Sequence, residues 1–65
     1  MKRLDKAVQL TQAPITLESF LEWERLHAEA QGEEAELIGD LYDAMLAAAT
    51  DEVYEVYMEH LANRD

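Results

Sequence analysis

Apolar residues fall at helical spacing in four stretches of this 65-residue chain, with turn-like punctuation between them. The weakest stretch is residues 1–13, where Leu4, Ala7, Val8 and Leu10 or Thr11 share one side of a helix. It predicts a short first helix or a semi-ordered arm, closed by Pro14, because proline disfavours helical geometry in the residue before it. A second helix is expected from Leu17 to Gln31. Thr16 can cap its start, Glu18 suits the positive end of its dipole, and Ile15 and Phe20 occupy the two positions of a hydrophobic staple. Gly32 is a natural C′ residue for it. Leu17, Phe20, Leu21, Trp23, Leu26 and Ala28 cover an arc wide enough to meet more than one neighbour, and Glu18, Glu22, Arg25 and Glu29 share what remains.

A third helix follows from about Glu33 to Ala49, with an apolar stripe of Leu37, Ile38, Leu41, Tyr42, Met45, Ala48 and Ala49. Gly39, in its middle, costs about 1 kcal/mol relative to alanine, and marks either a close helix crossing or a weak point. Thr50 can cap a fourth helix whose apolar side is Val53, Tyr54, Tyr57, Met58 and Leu61. No β-hairpin signal, internal repeat or low-complexity run is present. The reading is an all-α fold: a small helical bundle of three main helices plus a short N-terminal helix or arm, forming one domain over residues 1–65.

Charge changes the picture most. Fifteen acids against five bases give a net charge of −10. Lys2, Arg3 and Lys6 crowd the first six residues, so that 14 acids from Glu18 onward face Arg25 and Arg64 alone, a net of −12. Direct nucleic-acid binding is excluded as an expectation, since phosphate contacts need clustered lysine and arginine, and docking on anionic membrane fails on the same ground. No apolar run approaches the roughly 18 residues of a membrane span. No apolar signal core follows MKRLDK, and cysteine is absent, which together point to a cytoplasmic protein.

The acids are arranged as well as numerous. Glu33, Glu36, Asp40 and Asp43 lie together on the third helix, and Asp51, Glu52, Glu55 and Glu59 fall within about a 100° arc of the fourth. A solvated face usually mixes signs, because Glu–Lys pairs at i, i+4 stabilise a helix by about 0.2–0.5 kcal/mol each. Here Asp51–Glu55 and Glu55–Glu59 are like-charge pairs at that spacing, a local rule broken in the way functional surfaces break rules. Carboxylates at i and i+4 stand about 5–6 Å apart, comparable in scale to phosphates along one strand. Such rows suit a basic groove that normally receives nucleic acid, with fast, salt-sensitive association. Trp23, Tyr42, Tyr54 and Tyr57 are candidate anchors near the charges, although each lies on or beside an apolar stripe where core packing is the plainer role.

Other chemistry finds less support. Glu24 and His27 form a Glu-x-x-His, the ligand pattern of carboxylate-bridged di-iron bundles, and Glu24 projects into the apolar arc of its helix. A complete site needs a second such motif and further glutamates, which a symmetric dimer could supply. The plainer expectation is an i, i+3 hydrogen-bonded pair of Glu24 and His27, with His60 as a dipole partner near the last turn of its helix. There is no cysteine nucleophile, no glycine-rich phosphate loop and no plausible triad for Ser19. Asp40 and Asp43 lack the alternating ligand loop of an EF-hand. The chain is read as neither an enzyme nor a cofactor carrier.

In size and charge the chain resembles the very small acidic proteins of phages and mobile elements, among them anti-CRISPR and anti-restriction inhibitors. That resemblance implies a protein that blocks a defence complex, a basic protein or ribonucleoprotein, by occupying its nucleic-acid-binding surface. Glu33, Glu36, Asp40, Asp43, Asp51, Glu52, Glu55 and Glu59, with Tyr54, are the expected contacts. The alternative is an antitoxin or small assembly subunit that binds a protein through Tyr54, Tyr57, Met58 and Leu61. A more remote alternative is metal binding by a dimer through Glu24 and His27. A homodimer fits each reading, since so small a core gains stability from a second copy, while the net charge works against assembly.

Overall fold

The computed structural model describes residues 1–12 and 14–64. They form four α-helices: α1 (Lys2–Gln12), α2 (Leu17–Glu29), α3 (Gly32–Ala48) and α4 (Asp51–Ala62), with no strand among the described residues. The small all-α bundle expected from the periodicity is what the chain adopts. Ala13, the residue expected to leave helical geometry before Pro14, lies outside the described residues.

Several helix boundaries follow from local signals. The Thr16 hydroxyl accepts from the Ser19 N–H at 3.3 Å, and the Thr16 N–H donates to Ser19 Oγ at 3.1 Å, a reciprocal capping box closed by serine rather than glutamate. Ile15 and Phe20, the staple pair, are both buried. Thr50 Oγ1 accepts from the Val53 N–H at 3.3 Å and starts α4. At the α2–α3 junction the outcome differs from expectation. α2 ends at Glu29, and the left-handed residue, Gly32 at φ 59°, opens α3 instead of closing α2. The glycine is needed at that junction, because L side chains rarely adopt this conformation.

The N-terminal stretch is an equal member of the bundle rather than an arm. α1 packs against both α2 and α3, most extensively against α3, and Ala7 is fully buried. Its first turn has no capping side chain of its own. Glu34, from α3, fills that role: its Oε2 accepts the N–H groups of Arg3 and Leu4, both at 3.2 Å. Arg3 then reaches Glu29 at 3.6 Å and Glu34 at 4.0 Å, fastening α1 to the α2–α3 turn.

The core consists of Ala7, Ile15, Phe20, Trp23, Leu26, Ala30, Ile38, Met45 and Tyr57. Phe20 stacks on Tyr57 with ring centroids 4.1 Å apart, and Trp23 packs against Tyr42 at 4.8 Å. The Trp23 indole N–H donates to the Ile38 carbonyl at 2.8 Å, so burial of its one polar group leaves nothing unpaired. Gly39 faces α2: a Cβ there would stand 3.4 Å from His27 Nε2, at ordinary van der Waals contact. The Cα positions extend 31 × 28 × 15 Å, a slab with little depth. Leu37, expected in the apolar stripe of α3, sits at its edge and is exposed.

Candidate partner interface

The helical positions of the carboxylates decide their surroundings. Those on the core side of a helix are held by other parts of the fold. Glu34 falls on the side of α3 that carries Ile38 and Met45, which places it against α1. Glu24 accepts from the Tyr57 hydroxyl at 2.7 Å through Oε2 and from Arg64 Nη2 at 2.7 Å through Oε1. The Tyr42 hydroxyl donates in turn to that of Tyr57 at 3.5 Å. Burial, together with these neighbouring oxygens, pushes the Tyr57 hydroxyl well above the ordinary tyrosine range. Arg25 joins Glu22 and Glu29 along α2, and its hydrogen bond holds the Glu22 carboxyl below its usual range.

These contacts correct the expected Glu24–His27 pair. Both oxygens of Glu24 are engaged, by Tyr57 of α4 and by Arg64 just beyond it, while the His27 ring stacks on Trp23 with centroids 5.1 Å apart. Among the described residues no three His, Asp or Glu side chains converge as a metal-binding group. His60 lies in the last turn of α4, as its sequence position indicated.

The carboxylates on the opposite sides are treated differently. Glu33, Glu36, Asp40 and Asp43 are all exposed, within about 80° of one another around α3 and turned away from Ile38 and Met45. Asp51, Glu52, Glu55 and Glu59 are exposed along a strip of about 100° on α4, opposite the buried Tyr57. Among the described residues, none of these eight takes part in an ion pair, whereas the arginines all pair with Glu22, Glu24, Glu29 or Glu34. Glu33, Asp51 and Glu52 lie in first turns, where the helix dipole favours a negative charge. Glu36, Asp40, Asp43, Glu55 and Glu59 have neither a helix N-terminus nor, among the described residues, an ion-pair partner to compensate them.

The fold brings each row together within its helix but does not fuse the two rows, since α3 and α4 pack little against each other. Tyr54 stands beside the α4 row and is 44% exposed. The other aromatic candidates belong to the interior. Trp23 and Tyr57 are buried and Tyr42 is half-buried, and Tyr57 therefore leaves the apolar face of Tyr54, Met58 and Leu61. Val56, 47% exposed on the other flank of the α4 row, was not singled out by the sequence pattern, because a lone valine there interrupts no periodicity. The described surface holds no pocket, and no helix is long and apolar enough to cross a membrane. No protein-family model, curated protein or solved structure matches the chain.

Proposed function

We propose that this protein is an inhibitory interaction protein that presents the acidic rows of α3 and α4 to a basic, nucleic-acid-handling partner, in the manner of anti-CRISPR and anti-restriction inhibitors. The supporting observation is the segregation of charge. The arginines pair with Glu22, Glu24, Glu29 and Glu34, through which Arg3 and Arg64 tie separate parts of the bundle together, and among the described residues the outward rows take part in no ion pair. A partner groove lined with lysine and arginine would supply the missing counter-charges, and association would be steered over about one Debye length, roughly 8 Å at physiological salt. Tyr54, beside the α4 row, is the side chain placed to add apolar contact within that interface.

The experiment is capture of partners by tagged protein, washed at low and high salt, together with the Glu55→Lys/Glu59→Lys double variant. The expected result is a nucleic-acid-handling complex that elutes with salt, whose nucleic-acid binding the protein competes away, and that the double variant fails to retain. Retention of the same complex by the double variant would remove the electrostatic basis of this reading. A partner that resists salt but is lost on Tyr54→Ala would transfer the function to the apolar side of α4, as an antitoxin or assembly subunit.

A further inference from the structure

The helices are unequally secured. α1, α2 and α3 each pack on the other two, whereas α4 packs chiefly on α2. Of the buried core, α4 supplies Tyr57 alone. Beyond the stack of Tyr57 against Phe20, its docking rests on the partly buried Val53, Met58 and Leu61 and on one carboxylate, Glu24, whose two oxygens are taken by Tyr57 and Arg64. The connection to α3 is Ala49 and Thr50, both in extended conformation, so small changes in two residues re-aim the whole helix. The like-charge pairs Asp51–Glu55 and Glu55–Glu59 add nothing to hold α4 in place.

We infer that α4 is a separately opening unit, which swings off α2 about Ala49–Thr50 with Glu24 as its latch, while α1, α2 and α3 remain packed. Opening changes the separation of the acidic rows on α3 and α4, so the pair can adapt to the cation spacing of a partner. That consequence rests on the reading of the rows as a partner surface; the opening itself does not.

Native-state hydrogen exchange on the isolated full chain tests it. The amides of Tyr54, Glu55, Val56 and Tyr57 lie in the first turns of α4, away from its fraying end, and are expected to exchange faster than those of Ile38, Leu41 and Tyr42 in α3. Tyr57→Phe keeps the ring stack and deletes the buried hydroxyl, and should speed the α4 amides about tenfold, the equivalent of one such hydrogen bond. Arg64→Ala removes an exposed partner and should speed them about two- to fivefold. Both variants raise the native state relative to every state in which α4 is undocked, so α3 amides that exchange through global unfolding should speed by the same factor and stay the slower set. Equal protection of α3 and α4 in the native protein, or α4 amides whose exchange does not respond to either variant, would overturn the inference. Loss of the partner-capture result would leave this outcome untouched, so the two readings fail independently.

Discussion

Glu34 and Glu36 stand two residues apart on α3, yet the fold uses them in opposite ways. Glu34 accepts two backbone N–H groups of α1 and lies beside Arg3, while Glu36 faces solvent without a cation among the described residues. The difference is about 200° of helix rotation. Extended across the molecule, the same contrast separates Glu24 and Glu34, which fasten helices to one another, from the rows of α3 and α4, which fasten nothing. On α3, therefore, one side carries a structural carboxylate and the other an outward row, while every carboxylate of α4 is outward.

The largest effect that should sharpen this contrast is at the latch. Tyr57→Ala loses the stack on Phe20 and the hydroxyl held by Glu24, an expected cost of about 3–5 kcal/mol. That approaches the whole stability a core of this size supplies, so thermal unfolding followed by circular dichroism should show a largely lost transition. The same measurement on Asp43→Ala, in an outward row, should be near wild type. A large loss there would break the comparison.

Alkali acts on the same residue. The folded Tyr57 hydroxyl holds its proton more tightly than the ordinary value of 10.0, because burial disfavours the phenolate. Above pH 10.0 the unfolded chain releases a proton that the folded one keeps, so stability is intact below that pH and falls as pH rises past it. Denaturant titrations should show this decline, and Tyr57→Phe should remove most of it. A decline unchanged in Tyr57→Phe would place the cause elsewhere.

Glu34→Ala should cost about 1–2 kcal/mol through loss of the α1 cap, while Glu33→Ala, one residue earlier and exposed, should stay within about 0.5 kcal/mol. Equal effects of the two would erase the distinction between structural and outward acids. The smallest expected effect is of opposite sign. Glu55→Lys replaces two like-charge pairs by attractive ones and should stabilise α4 by a few tenths of a kcal/mol while weakening partner binding. Gain of stability with loss of binding is the signature of a surface kept acidic for a partner; Glu55→Lys with unchanged binding would count against it.

Much of this arrangement was legible before the fold was known. Thr16 and Thr50 cap the helices they were expected to cap, because an N-cap hydroxyl bonds within its own turn and needs no other part of the chain. The exposure of all eight outward acids followed from their angular position opposite the apolar stripes. α1 was legible only as a weak helix, since its apolar pattern is short and its cap comes from Glu34, thirty residues away in sequence from Leu4. Glu24 stood out in the apolar arc of α2, but its partners did not: Tyr57 and Arg64 lie 33 and 40 residues away, and a nearby His27 was the easier match.

Local order along the chain was enough to set the four helical stretches, the Thr16 and Thr50 caps, the net charge and the sides on which the outward acids lie. Each of these depends on contacts within a few residues or on a simple sum over the chain. Packing between the helices set which carboxylates are consumed in holding the bundle together, made α1 part of it, and put Tyr57 in the core and Tyr54 on the surface. Those outcomes depend on which helix faces meet. Helical periodicity says that a face must be covered, and only packing in three dimensions says by what.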